Sequence, residues 1–378
     1  MSVSESETSL PKQAGLPGMR ILKPLAGPVL AVVISFVIGG LLVAALGQDP
    51  VAVYRLLIEG SLVGWANLSV TLQMTTPLIF TGLAVALSFR SGIWNIGVEG
   101  QMLMGALAAG IVGYAADLPP LLHAPACILA AALGGALWAA IPALLRVYLN
   151  VNELVICLML NPTALLVTGY ISTRVLKAPG PTNKLPDIAD AARLTNYSIF
   201  SQLNTGIFIA IACCVAIAVF NRVTVRGYEW KLIGLNSRFA HYGGVNVRRN
   251  VIGVMLVSGA IGGLAGAEQV LGVYGAFYDN FSPGYGFDGI AVAMLAHSHP
   301  IGVMLAAFLF GALDSGSSVL QMQMGISKYL VQVLQFIVVL ILAAQFSFGW
   351  LDRHRKRQAA GAPAAAPGEQ PGPTPADR

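Results

Sequence analysis

Charge is what this sequence has least of. Only 10% of its 378 residues are Asp, Glu, Lys or Arg, while 56% are hydrophobic. A soluble globular domain carries about 25% charged residues. So few charges cannot clothe a water-exposed surface, and a mean hydropathy of +0.72 agrees; most of the exterior must face lipid. That excludes the two or three soluble domains that length alone would suggest. Cysteine is scarce as well. Cys127, Cys157, Cys213 and Cys214 lie in apolar runs without metal-ligand spacing, so they read as small hydrophobes rather than a disulfide or zinc framework. There is no G-x-x-x-x-G-K-[ST], which excludes nucleotide hydrolysis by a P-loop of this chain. No TVGYG-like filter and no repeated-arginine helix are present, so a potassium channel or voltage sensor is not expected. His297 and His299 have no third ligand nearby in sequence, and they read as an interfacial turn before Pro300. The first twenty residues are polar and mixed in charge, unlike a secretory signal.

What is present in quantity is apolar length. A helix needs roughly 20 apolar residues to cross a bilayer. Candidate spans lie at about 26–46, 69–89, 101–116, 123–145, 153–173, 203–221, 250–271, 300–320 and 328–348. None alternates apolar and polar residues as barrel strands do. Small residues recur four apart at Gly259 and Gly263, Gly262 and Gly266, Ala106 and Gly110, and Ala131 and Gly135. That spacing lets helix backbones approach in lipid.

Basic flanks set the orientation. Lys12, Arg20 and Lys23 precede the first span, and Arg146 follows the fourth. Six basic residues between Arg222 and Arg249 face only Glu229, and the tail opens LDRHRKR. All of these belong inside, although the 174–201 loop carries a mild basic excess on the outer side. Nine crossings would leave the tail outside, so a tenth is required. The stretch 281–298, FSPGYGFDGIAVAMLAHS, is the place for it, as a short or broken helix. Irregular backbone at that depth needs protein or a water-filled cavity around it, which points to a polar pathway near 284–290. The chain therefore reads as all-α: a polytopic membrane helical bundle of about ten transmembrane helices, one of them short or broken, with both termini cytoplasmic. Its expected parts are a cytoplasmic segment 1–25, a transmembrane domain 26–350 with a cytoplasmic excursion at about 228–249, and a disordered Pro/Ala/Gly-rich tail 351–378.

Polar residues inside the apolar runs carry the functional information. Glu99 sits in SGIWNIGVEGQMLMGA (91–106) among large apolar side chains and glycines. An ionised carboxylate there is costly unless it is paired, hydrated or protonated. Asn95, four residues earlier, would share its face on a helix. Asn95, Glu99, Gln101, Asn152, Glu153, Asn161, Glu268 and Asp288 form the expected set lining a pathway or bonding between helices. Asp314 and Gln269 lie in similar surroundings. For Glu153, just after the Arg146 turn, a helix cap or headgroup position is an equal reading. Tyr and Trp near span ends (Trp65, Tyr148, Tyr170, Trp350) read as interfacial anchors. Residues 228–250 read as a short amphipathic helix stopped by Gly243–Gly244, either a surface helix or a docking element for a cytoplasmic partner.

Four ordered motifs resemble one family. TPLIFTGLAVALSFRSGIWNIGVEGQMLMGA (76–106), NELVICLMLN (152–161), GLNSRFAHYGGVNV (234–247) and GFDGIAVAMLAHSHPIGVMLAAFLFGAL (286–313) are similar to motifs in permease subunits of bacterial ABC importers of the branched-chain amino acid and simple-sugar class. The nucleoside-importer branch fits best, although Trp94 stands where Phe is usual and Ser237 where Pro is usual. The resemblance spans about 65–345. It implies a transport subunit rather than an enzyme, importing nucleosides and forming half of a translocation pathway in the cytoplasmic membrane. The alternatives are a simple-sugar permease or an ion-coupled secondary transporter. It implies an ATPase-coupling role for Gly234, Leu235, Asn236, Ser237, Ala240, Tyr242 and Gly244. The implied partners are a second permease subunit (paralogue or identical copy), a cytoplasmic ABC ATPase, an extracytoplasmic binding (lipo)protein and membrane lipid, with no nucleic acid. No cofactor or metal is expected on this chain, since ATP would be used by the partner. A reporter fused after residue 350 is expected to read cytoplasmic; an extracytoplasmic signal would remove the tenth crossing.

Overall fold

Small and large residues divide the longest helix between two surroundings. In the computed structural model, which describes residues 33–337 except 35, 46, 326, 328, 330 and 334, this helix is Pro120–Leu149. Its buried face carries Cys127, Ala131, Gly135 and Ala139 at four-residue steps, while Leu129, Leu133, Leu137 and Ile141 are exposed at the same step. Leucine gains nothing from hiding from hydrocarbon, so in lipid the small side is the one that packs.

In chain order the helices are α1 (Phe36–Ala45), α2 (Pro50–Leu62), α3 (Trp65–Arg90), α4 (Val98–Ala115), α5 (Pro120–Leu149) and α6 (Glu153–Tyr170). After them come α7 (Gly206–Val223), α8 (Val225–Leu235), α9 (Ser237–Tyr242), α10 (Val247–Glu268), α11 (Tyr285–Leu295) and α12 (Pro300–Met324). α6 and α10 run on through π-helical turns, Ile171–Val175 and Gln269–Tyr274. Among the described residues there is no strand, only two isolated bridges. The protein is a polytopic helical bundle, and seven of its described helices are long and apolar enough to cross a membrane.

Two groups of helices make the core. α4, α5 and α10 pack most closely, and they do so through glycine. A Cβ on Gly263 would strike the Ala131 carbonyl, one on Gly105 would strike the Gly263 backbone, and one on Gly266 would strike the Met102 carbonyl. All four small-residue pairs seen in the sequence belong to these helices. The second group centres on α3, which touches α10, α11 and α12. α3 buries Thr75, Thr76, Thr81 and Ser88, and each hydroxyl donates to a carbonyl one turn back, at 2.7–3.0 Å. Such local bonds satisfy hydroxyls where no water reaches.

The segment 176–205 lies across the ends of α4 and α10. Backbone bonds from Leu185 to Phe277, from Ile188 to Gly275, from Ala189 to Gly113 and from Leu194 to Leu271 hold it there. Its Leu185, Ile188 and Ala192 are buried.

Two expectations change, and one reaches beyond the described residues. The short helix within 281–298 is α11, but a count of ten is not reached among the described residues. Spans 26–46 and 328–348 lie partly outside them, as do segments 1–25 and 351–378 entirely. Helix α2 was not expected: it is short, and Arg55 and Glu59, paired at 2.8 Å, interrupt its hydropathy. The single amphipathic helix expected after residue 228 is two. Asn236 ends α8 and caps α9, its side chain accepting from Phe239 N at 3.0 Å, and the Gly243–Gly244 turn then stops α9, with Gly244 at φ +83°.

Close packing without side chains makes a sharp prediction. Gly263→Ala forces a Cβ into backbone, and overpacking of this kind costs about 1–3 kcal/mol. A Cβ on Gly253, in the same helix, meets nothing closer than 3.8 Å. Thermal unfolding in detergent should therefore shift down clearly for Gly263→Ala and hardly at all for Gly253→Ala.

Candidate functional site: a buried polar hub

The turn between α3 and α4 is extended, and it brings the polar residues of the first motif together. Asn95 lies in this turn, fully buried, outside any helix. It therefore does not share a helix face with Glu99; the glycine-flanked turn gives each a separate direction. Asn95 and Gln101 exchange amide bonds, Nδ2 to Oε1 at 3.1 Å and Nε2 to Oδ1 at 2.9 Å. Asn95 Nδ2 also donates to Ser258 Oγ at 2.8 Å, and the Ser258 hydroxyl donates to the Ala84 carbonyl at 2.7 Å. One amide pair thus joins α3, α4 and α10.

Asn161 brings in α6. Its Oδ1 accepts from Gly100 N and its Nδ2 donates to the Ile96 carbonyl, both at 3.0 Å. Glu99, in the first turn of α4 and 8% exposed, brings in α11. Its Oε2 accepts from Gly286 N at 2.6 Å, and the Ser282 hydroxyl also reaches the carboxyl. Gly286 is the second residue of α11, so the carboxyl caps the start of another helix. Helix N-termini carry unpaired N–H groups and partial positive charge, and a carboxylate satisfies both. A Cβ on Gly286 would strike the Glu99 backbone.

Glu268 forms a second, separate centre at the end of α10. Asn204 Nδ2 donates to Oε1 at 2.9 Å and Gln269 Nε2 to Oε2 at 2.7 Å. Asn204 in turn accepts from Gly206 N at 2.8 Å, so the acid ties segment 176–205 and the start of α7 to α10. Both buried acids are met by neutral donors, which offsets the cost of burial without a counter-ion.

The remaining expected residues are placed differently. Asn152 is not interior: it is exposed and caps α6, accepting from Leu154 N at 2.9 Å. A residue that begins a helix at a span end turns its side chain back on its own backbone. Glu153 pairs with Arg146 across the α5–α6 turn, half-buried. Asp288 is half-buried in the first turn of α11, within electrostatic range of Asp314 and Glu99. Asp314 Oδ1 accepts from Gln335 Nε2 at 2.9 Å. His297 and Ser298 both take left-handed backbone in the tight turn before α12, and no group of metal-ligating residues occurs among the described residues.

The segment 234–244 is a projecting element. A Cβ on Gly234 would strike the Arg90 carbonyl and one on Gly92 would press on the Gly234 Cα, so α8 is seated directly on the α3–α4 turn. Trp230 Nε1 donates to Asn250 Oδ1 at 3.0 Å and fastens α8 to α10. Ala240 is buried, whereas Leu235, Phe239 and Tyr242 are exposed. Asn236, Ser237 and Gly244 lie on the same exposed stretch.

Three participants escaped the sequence reading. Ser258 and Asn204 are single polar residues beside long apolar runs, and only a partner distant in sequence gives them meaning. Trp138 is the third: its indole N–H is buried beside Gly100 with no acceptor among the described residues. Its mid-span position, away from the interface where tryptophan usually sits, was the available signal.

The family described as branched-chain amino acid transport system, permease component, matches residues 67–343. A guanosine ABC transporter permease protein of Bacillus subtilis is 35% identical over 344 residues, 90% of this chain and 99% of that protein. A glucose ABC transporter permease protein of Haloferax volcanii is 34% identical, over 83% of this chain and 86% of its own. A nucleoside ABC transporter permease protein of Lactococcus lactis is 32% identical, over 84% and 90%. No solved structure is matched.

The geometry separates two substitutions at position 99. Glu99→Gln keeps an acceptor for Gly286 N–H and should leave unfolding and transport nearly unchanged. Glu99→Leu strands that N–H in the interior, a loss of about 1–3 kcal/mol, and should lower the unfolding temperature and abolish transport. Normal transport by the leucine variant would show that the cap is dispensable.

Proposed function

Because the chain belongs to the branched-chain amino acid transport system permease family, we propose that it is the membrane subunit of an ATP-driven importer of nucleosides. The observation that carries this reading is the near end-to-end match to the guanosine permease of B. subtilis, with the Lactococcus nucleoside permease beside it. The chain is a multi-pass protein of the cytoplasmic membrane. It forms half of a translocation pathway with a second permease subunit, receives substrate from an extracytoplasmic binding (lipo)protein, and couples to an ABC ATPase.

Physical features support each part. The chain lacks a P-loop, so ATP is hydrolysed by a partner. The exposed Leu235, Phe239 and Tyr242 sit on helices seated on the α3–α4 turn, a mechanical link from a docked ATPase to the polar hub. α11 has 11 residues, about 16 Å of helix against a hydrocarbon core of about 30 Å, and half-length helices that start inside the bundle border substrate paths in transporters. Its first turn offers half-buried Asp288 beside exposed Phe287: an acceptor for ribose hydroxyls and an aromatic face for a base. In this reading α11 is one of ten crossings of domain 26–350, with both termini inside. Glu99, Asn95, Gln101 and Asn161 hold the walls, and Asp288 faces the path.

The glucose relative makes a simple sugar the competing substrate, and uptake decides between them. Vesicles carrying the assembled importer should take up labelled guanosine only with ATP inside, and excess glucose should not compete. Leu235→Asp should reduce that uptake at least about tenfold, as loss of an interface anchor does, without altering the unfolding temperature. ATP-driven glucose uptake with no guanosine uptake would replace the substrate, and unimpaired uptake by the aspartate variant would remove the coupling role.

A further inference from the structure

A basic pocket lies where the ends of α3, α7 and α12 meet α8. It is a cavity of about 390 Å³ lined by Arg90, Arg222, Lys231, Asn221, Tyr228 and His299, with Ala218 and Pro300 completing the wall. No acid lines it. The nearest acid on α8, Glu229, is engaged by Arg226 at 3.9 Å. None of Arg90, Arg222 and Lys231 has an ion pair among the described residues. Three cations that converge without a counter-ion repel one another, and this arrangement asks for an anion. The Asn221 Nδ2 is a buried donor with no acceptor among the described residues, which adds a directed hydrogen bond to the charge. Burial first, and then the charges of Arg90 and Arg222, hold the His299 imidazole below its ordinary pKa, as expected of a positive local field.

The surroundings narrow the kind of anion. From the pocket, exposed Val219 and Val215 continue along α7, and exposed Ile301 and Leu305 continue along α12. Both pairs lead into the apolar spans of the two helices, which pack together. A soluble anion would use only the cations, whereas a lipid would also use the hydrocarbon-facing strips that begin at the pocket's edge. A molecule with a phosphate at one end and hydrocarbon at the other matches both.

We propose that this pocket is a binding site for the headgroup of an anionic phospholipid, with its acyl chains lying over the exposed strips of α7 and α12. Arg222 and Lys231, at the rim, hold the phosphate by charge, and Arg90 and Asn221 close around it from deeper in the wall. Basic pockets between transmembrane helices are suited to such headgroups, each cation contributing about fivefold in affinity. Because Arg90 ends α3, just before the turn that carries the polar hub, lipid occupancy would steady the same turn on which α8 rests.

The test is lipid binding by the intact permease complex. The detergent-purified, delipidated complex is titrated with dioleoylphosphatidylglycerol and, separately, dioleoylphosphatidylcholine, and bound lipid is counted by native mass spectrometry. Saturable phosphatidylglycerol binding that exceeds phosphatidylcholine binding is expected. Arg222→Gln combined with Lys231→Gln should weaken it by about tenfold or more, two charges being lost, while Arg249→Gln, on the same face but outside the pocket, should leave it within about twofold. Both double-variant positions are exposed, so folding is not at stake. Wild-type binding by the double variant, or an equal loss in Arg249→Gln, would overturn the proposal. Displacement of the lipid by equimolar inorganic phosphate would make the site one for free phosphate instead. Loss of the ATPase subunit from the double variant with lipid binding unchanged would assign the cations to a protein partner.

Discussion

The bond between the Glu99 carboxyl and the start of α11 is the constraint around which the bundle is organised. A helix that begins inside a membrane protein exposes its first N–H groups where no water can serve them. Gly286 N–H is such a group, and an acid delivered by another helix answers it. The acid can do this only if the first turn of α4 is held in register. Asn161 fixes that turn from α6, and the Asn95–Gln101 pair fixes it from α3 and α10. The costly carboxyl in an apolar stretch is thus the complement of a costly helix end. Each is tolerable because of the other.

Lipid reverses the usual division of labour between side chains. In water, large apolar residues drive helices together; here they line the outside of α5, and glycine and alanine make the contacts. Association then depends on close backbone approach and on a few buried hydrogen bonds. The polar hub and the glycine contacts are complementary: one sets which helices meet and in what register, the other how near they come. Segment 176–205 adds a clasp across two helix ends, with Glu268 and Asn204 as its fastening.

Much of this was legible in the sequence, for identifiable reasons. Span positions follow from hydropathy because the bilayer fixes the required length, and the seven long helices fall where apolar runs predict them. The short helix at 285–295 was legible from charge parity, which asked for one more crossing, and from the short apolar run after Asp288. Hydropathy measures how apolar a segment is and not where a chain turns, so α2 escaped it, and so did the break at Asn236. The hub was half legible. That Glu99, Gln101 and Asn161 stay inside follows from the cost of placing them in lipid. That Asn95 leaves the helix, and that its partner is Ser258, 163 residues away, requires the packed structure. Asn152 looked interior because it borders an apolar run, but a helix start accounts for it equally well.

The glycine contacts of α4, α5 and α10 also have a consequence for the gene. Every missense change of a single base in a glycine codon yields a residue with a Cβ. At Gly105, Gly135, Gly263 and Gly266 that atom meets neighbouring backbone first, and at Gly259 it meets the Ala139 Cβ and then backbone, none of which can turn aside. These five codons therefore have no conservative neighbour in the genetic code. Leu129, Leu133 and Leu137, on the opposite face of α5, can drift among Ile, Val, Phe and Met with little effect. Variation among natural and laboratory alleles should gather on the lipid-facing leucines and stop at the glycines, although both look equally bland in composition.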